Sequence, residues 1–390
     1  MAPEISHYDV VVVGAGIAGC AVAKAFADQG RQVLVLERQL SEPDRIVGEL
    51  LQPGGVAALA KLGLVDCVQD IDAVPVTGYH MFWKCQEEVS FWFCPPPGQP
   101  PENKPAGRSF HHGRFVAKLR QKISETEGIT VLQRNVVEMI RDERSAVVIG
   151  VACSDEQSSK YFGDLILLTD GASSNFRSQV LPYQPTAQSR FWGLELIDAD
   201  LPFYSYAYGI IGSGPPMLIY QISKRETRIL IDILDDTYKS LGSNTEAVKS
   251  HILDNVVPIL PERLQPSLVD AVRSGRLRSV PNRWVPSSQN KQPGLVVLGD
   301  ALNMRHPLTG GGMTVALKDA ILLAELLEPS KVPSLADHSL VLNKLGDFHW
   351  RRKRYAASIN ILAQALYLLF VAEGEFDYDE SQCLLSFTES

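Results

Sequence analysis

The chain has 390 residues, 45% of them hydrophobic, and a net charge of -8. That length predicts about two domains with a sizeable core, and the acidity excludes nucleic acid as a partner, because phosphate binding needs basic clusters. The six cysteines show no metal-ligand spacing and read as reduced intracellular thiols. The opening residues are short and polar and run straight into a strand, so neither a signal peptide nor a leading membrane anchor is expected.

Residues 9–13, Asp-Val-Val-Val-Val, read as a strand. It opens into Gly14-Ala15-Gly16-Ile17-Ala18-Gly19, a small-residue helix over 20–29, a helix stop at Gly30 and a second strand over 32–36 ending at Glu37. This is the dinucleotide fingerprint in its strand-turn-helix context, with an acid about 20 residues on to hold a ribose hydroxyl. Gly14 makes the tight turn, Gly16 admits a pyrophosphate and Gly19 lets helix and strand touch.

NAD and FAD both satisfy that fingerprint, so a second element has to decide. The strand 295–298 leads into Gly299-Asp300, then Thr309-Gly310-Gly311-Gly312-Met313 and a helix over 314–327. A carboxylate at a strand end accepts strong bonds from a polyol, and a glycine loop before a helix N-terminus admits a planar ligand. Two such sites some 280 residues apart can clamp opposite ends of FAD; an NAD-only enzyme has no use for the second.

Between them, 41–55 is a polar loop with Arg45 in reach of a phosphate and Gln52 at the start of a helix over 56–62. Strands over 76–83 and 88–93 begin a second sheet whose aromatics suit a core or a channel for a long apolar substrate. His111-His112 is no expected metal site, since neighbours on a strand point to opposite faces; Arg114, at the start of a helix over 116–124, is the candidate for flavin or phosphate contact. A strand over 130–139 places Val136 against adenine, and a strand over 165–169 ends in Asp170-Gly171. Further strands over 191–196, 205–211, 217–222 and 228–232 complete the second sheet, followed by helices over 241–274 broken at Pro258 and Pro261. The tail carries Arg351-Arg352-Lys353-Arg354 and a nearly uncharged 356–372, which either packs over the substrate mouth or touches a membrane surface.

The fold class expected is α/β: a Rossmann-like FAD-binding domain (1–75, 108–180, 280–328), an interleaved, mostly antiparallel β-sheet substrate domain (76–107, 181–279) and a C-terminal helical segment (329–390). Gly14 to Gly19, Asp170-Gly171 and Gly299-Asp300 together resemble the flavoprotein monooxygenases of the aromatic-hydroxylase type. The longer strings 37–49, 107–115 and 303–315 resemble squalene epoxidase, and that resemblance runs over about 8–370.

The resemblance implies FAD contacts at Gly14, Ala15, Glu37, Arg38, Arg45, Leu50, Arg114, Asp300 and Met313, to which the glycine and Asp-Gly motifs add Gly16, Gly19, Asp170 and Gly312. It also implies that Tyr79, paired with Gln52, lies near the flavin and is needed for activity. The implied reaction is epoxidation of a trisubstituted alkene by molecular oxygen through a flavin C4a-hydroperoxide, on squalene or on the prenyl side chain of a natural product. NADPH supplies electrons directly or through a separate flavoprotein reductase, and the setting is intracellular, cytoplasmic or peripheral to the endoplasmic reticulum membrane. Alternatives are an aromatic-ring hydroxylase and a non-catalytic flavin- or prenyl-binding protein. Family members usually continue into a further hydrophobic C-terminal region, and many carry an N-terminal membrane segment; neither is expected here.

Overall fold

The computed structural model describes residues 7–83, 87–96, 98–100, 102–155, 158–212 and 214–371. The six N-terminal residues, Cys85 in the expected turn, Cys383 and the expected tail from 372 lie outside them.

Strand β1 (His7–Val13) feeds α1 (Ile17–Ala27) and β2 (Val33–Glu37). Val10, Val11, Val12 and Val13 are all buried, as a strand covered on both faces requires. The short β3 (Leu50–Leu51), α2 (Pro53–Lys61) and β4 (Val74–Val76) precede a hairpin of β5 (Gly78–Trp83) and β6 (Glu87–Trp92). After β7 (Gly107–Ser109) and α3 (His112–Ser124), four strands follow: β8 (Ile129–Gln133), β9 (Val136–Arg141), β10 (Val148–Cys153) and β11 (Lys160–Leu168). Beyond α4 (Arg177–Val180) come β12 (Thr186–Ile197), β13 (Tyr206–Ile211), β14 (Met217–Gln221) and β15 (Glu226–Leu234). The chain then forms α5 (Asp235–Ser240), α6 (Thr245–His251), α7 (Gln265–Ser274), β16 (Arg278–Trp284), β17 (Leu295–Val297), α8 (Gly312–Leu326) and α9 (His338–Val371).

These strands make a first sheet ordered β8-β2-β1-β11-β10-β9, with β17 on β11. Its β8, β2, β1, β11 and β17 are parallel, which turns their C-terminal ends and the loops beyond to one edge. The second sheet, β16-β12-β15-β14-β13-β5-β6, is antiparallel except for the β13–β5 pair. A small sheet, β3-β7-β4, lies at the junction.

The expected strand over 130–139 is two strands. Arg134 donates its backbone N–H to the Glu37 carbonyl at 2.8 Å and closes β8 on β2, after which β9 starts afresh beside β10. Strands β7, β10 and β16 escape a pattern-based reading; β16 contains Pro281 and mixed polar residues, and the expected boundary at 280 falls inside it. The expected tail helix is the second half of α9, whose 34 residues begin at His338. Arg352 of the basic run is buried against Asp319 of α8, with bonds of 3.0 and 2.8 Å. Among the described residues no helix is long and apolar enough to cross a membrane, and Cys20, Cys67, Cys94 and Cys153 are free thiols.

Candidate active site

The glycine turn after β1 is fixed by close contacts. Gly14 has φ +102°, and a Cβ there would meet the Thr169 carbonyl oxygen at 2.8 Å; a Cβ on Gly19 would come within 1.9 Å of the Gly14 oxygen. Gly16 is different, with nothing within 4 Å of its Cβ position, and it borders a cavity. The N-terminus of α1 has no side-chain cap, so its backbone N–H groups remain available to an anion. Glu37 accepts the N–H groups of Ala15 at 2.8 Å and Gln39 at 3.1 Å, leaving lone pairs for a ribose hydroxyl.

Arg114 does not join this turn. Its guanidinium donates to Asp72 at 2.8 Å on the surface, outside the cavity lining. The arginine at the cradle is Arg120, which donates to the carbonyls of Ala15 (2.9 Å), Gln39 (3.0 Å) and Ser41 (2.9 Å) and lies 3.5 Å from Glu37. Six residues at about 100° each rotate the two side chains to different faces of α3. Within Lys-Leu-Arg-Gln-Lys, Arg120 reads as a solvated charge, so nothing local marks it as part of a site.

The Asp170-Gly171 and Gly299-Asp300 turns are tied together by buried Arg177. It donates to the carbonyls of Gly171 (3.1 Å), Asp300 (2.9 Å) and Ala301 (2.8 Å). Asp170 accepts the N–H of Asn175 at 3.2 Å, while its other oxygen is buried without a partner among the described residues, and burial pushes its carboxyl upward. Asp300 is exposed on the cavity, and its carboxylate bonds to no described residue. The three glycines at the start of α8 have separate tasks. Gly310 is left-handed (φ +59°), Gly311 gives room to Ile359 of α9, and Gly312 faces the cavity beside Met313.

The cavity has a volume of about 480 Å³. It is lined by Gly16, Ala18 and Asp300 from the loops of the first sheet, by Ala207, Leu218 and Leu230 of the second sheet, and by Arg45, Leu50 and Leu308. Arg38 is exposed and Val136 is buried in β9; neither lines this cavity.

Gln52 and Tyr79 meet across the junction of the two sheets. The Gln52 amide nitrogen donates to the Thr309 carbonyl at 2.8 Å and to the Tyr79 hydroxyl oxygen at 2.6 Å. A carbonyl can only accept, so the nitrogen must face it, and the Tyr79 proton is left to point elsewhere. Burial raises the Tyr79 phenol, keeping it a neutral donor. Phe91 and Phe93 flank its ring, each with centroids 5.7 Å away.

A second polar group stands beside it, unanticipated from the sequence. Arg228 donates to both Glu49 oxygens, at 2.8 and 3.0 Å, and the Tyr220 hydroxyl lies 3.4 Å from the same carboxylate. Burial pushes the Glu49 carboxyl up, and the guanidinium draws it back. The two adjacent histidines sit at the start of α3, not on a strand, and diverge. His111 pairs with Glu226 at 2.8 Å, and His112 bonds the Gly48 carbonyl at 2.9 Å. Burial, then the Arg45 charge, lowers His112 to about 4.

The open cradle at Gly16, the uncapped α1 and the unpaired Asp300 carboxylate at the other strand-end turn fit the two ends of one FAD. The comparisons agree. Residues 9–43 match the FAD dependent oxidoreductase family model. The fold is shared with pqsL, a probable FAD-dependent monooxygenase from Pseudomonas aeruginosa, at a TM-score of 0.74 over 94% of this chain and 97% of that one, with 19% identity. The family model and relatives that follow make the protein an FAD-dependent monooxygenase. Residues 162–385 match the squalene epoxidase model. Squalene epoxidase erg1 of Aspergillus fumigatus is 48% identical over 373 residues, covering 95% of this chain and 77% of that protein. The Schizosaccharomyces pombe erg1 enzyme is 42% identical over 94% and 79%. The chain belongs to the squalene epoxidase family.

Proposed function

We propose that this monooxygenase epoxidises a trisubstituted double bond of an isoprenoid chain, with squalene as the substrate. The observation that carries the reading is the single cavity that joins the glycine cradle to an apolar wall of the second sheet, with the Tyr79–Gln52 bond at the junction. In this reading the first sheet and its helices bind FAD, and the second sheet holds the substrate. FAD, when reduced, supplies the activation of molecular oxygen.

The chain's own residues supply position and dryness, which oxygen transfer to an alkene requires. Gly16, α1 and Glu37 hold the adenosine and pyrophosphate end; Asp300, Gly312 and Met313 hold the ribityl and ring end. Tyr79, oriented by Gln52, presents a neutral hydroxyl towards the ring. Leu218, Leu230, Ala207 and Leu308 give the alkene an apolar wall that keeps water from it.

Electrons come from NADPH through a separate flavoprotein reductase, since the described cavity offers one dinucleotide cradle. The exposed Trp350, Ile361, Leu362 and Leu368 of α9, beside Arg351 and Arg354, support a peripheral contact with an intracellular membrane such as the endoplasmic reticulum. The test is incubation of purified protein with FAD, NADPH and squalene, with and without a reductase, followed by mass analysis. One added oxygen only with the reductase supports the whole reading. Oxygen on a dimethylallyl-bearing aromatic and none on squalene would sink the substrate assignment.

A further inference from the structure

Strand β3 is only two residues long, yet both residues flanking it bond to the second sheet. Glu49 is held by Arg228 of β15 and Tyr220 of β14, and Gln52 by Tyr79 of β5. Leu50, between these clamps, lines the cavity with Glu49, Tyr79 and Tyr220. Glu49 is 1% exposed and Arg228 7%, so the fork between them is shielded from solvent. Glu49 faces the cavity, whereas Arg228 lines a neighbouring cleft of about 750 Å³, so their bond forms part of the wall between the two spaces.

We infer that Glu49 is a positioning residue: its bonds to Arg228 and Tyr220, together with the Gln52–Tyr79 bond, fix β3 against the second sheet so that Leu50 and the two tyrosines present a rigid, dry wall to the flavin ring. This rests on the proposed epoxidation for its activity arm and on FAD binding alone for its spectroscopic arm. The bidentate geometry matters because a planar guanidinium fixes orientation where a lysine ammonium supplies charge only. Arg228→Lys therefore keeps the charge and loses the fork. Gly16, Ala15 and Glu37, at the adenosine and pyrophosphate end, share no hydrogen bond with this pair and are left intact.

The experiment compares wild type, Glu49→Gln, Arg228→Lys and Glu49→Asp, each loaded with FAD. The readouts are the visible circular dichroism of oxidised flavin, the FAD dissociation constant, kcat and KM for squalene with the reductase, and hydrogen peroxide released per epoxide. Misplacement of a reacting group by about 1 Å lowers rates by roughly 10²-fold, so kcat falls by that order in Glu49→Gln while KM and FAD affinity change by less than about threefold. The flavin dichroism changes, and peroxide per epoxide rises several-fold. Arg228→Lys shows the same pattern, and Glu49→Asp recovers part of both. Unchanged dichroism and peroxide ratio in FAD-loaded Arg228→Lys would overturn the inference, even if Glu49→Gln failed to fold. Wild type that makes no epoxide would refute the proposed reaction instead, and the dichroism would still decide the positioning role.

Discussion

Replacing Arg352 by Met tests how α9 is fastened to the rest of the molecule. Arg352 donates to both oxygens of Asp319, at 3.0 and 2.8 Å, each side chain being 1% exposed, and Tyr355 donates to the same carboxylate at 2.8 Å. Burial by itself would lower the guanidinium; the Asp319 charge and its hydrogen bonds together outweigh it, and the net shift is upward. Removing the arginine leaves a buried carboxylate with one donor, which costs about 3–5 kcal/mol. Unfolding entropy of about 2.1 cal/mol/K per residue gives roughly 0.8 kcal/mol/K for 390 residues, so the midpoint should fall by about 4–6 °C. The assay is a thermal scan of FAD-loaded protein at fixed FAD concentration, because bound ligand itself shifts the midpoint. Asp319→Leu with Arg352→Met should recover most of the loss, short by about 1 kcal/mol for the stranded Tyr355 hydroxyl. A single variant within about 1 °C of wild type, or a double variant no better than the single, refutes the reasoning, the expected scale being that of the same entropy.

Asp300→Ala should yield protein largely free of FAD, and purified protein at full yellow stoichiometry would remove that carboxylate from the cofactor's partners. Arg120→Ala should weaken FAD binding by about tenfold or more, since charged hydrogen bonds worth roughly 1.5–3 kcal/mol each order the cradle; Arg114→Ala should leave titrated FAD affinity unchanged, and the reverse order would restore Arg114. Tyr79→Phe should retain FAD and lose epoxide formation, so unchanged turnover would reduce Tyr79 to packing. His112, lowered from 6.5 to about 4 by burial, resists protonation in the folded state while the unfolded chain takes the proton first. Its contribution is therefore complete above pH 6.5 and is lost as pH falls towards 4, on the order of 3 kcal/mol in all. The drop in urea midpoint between pH 7 and pH 4.5 should accordingly shrink in His112→Gln.

Sequence alone determined the features whose physics is local. The Gly14-Ala15-Gly16-Ile17-Ala18-Gly19 turn was legible because a positive φ and a 1.9 Å approach admit only glycine, whatever the rest of the fold does. The strands 9–13 and 295–298 and the long α8 declared themselves by apolar runs and spacing. The pairing of Tyr79 with Gln52 came from family resemblance; in the fold they meet at 2.6 Å. Tertiary structure decided the rest. Whether Arg114 or Arg120 reaches the cradle depends on the rotation of α3 against the first sheet, a phase that no residue type encodes. Glu49 and Arg228, 179 residues apart, are ordinary charges until β14, β15 and β3 bring them together and burial makes their bond matter. Arg352 likewise reads as one of four surface cations, and only the packing of α9 on α8 turns it into the buried partner of Asp319.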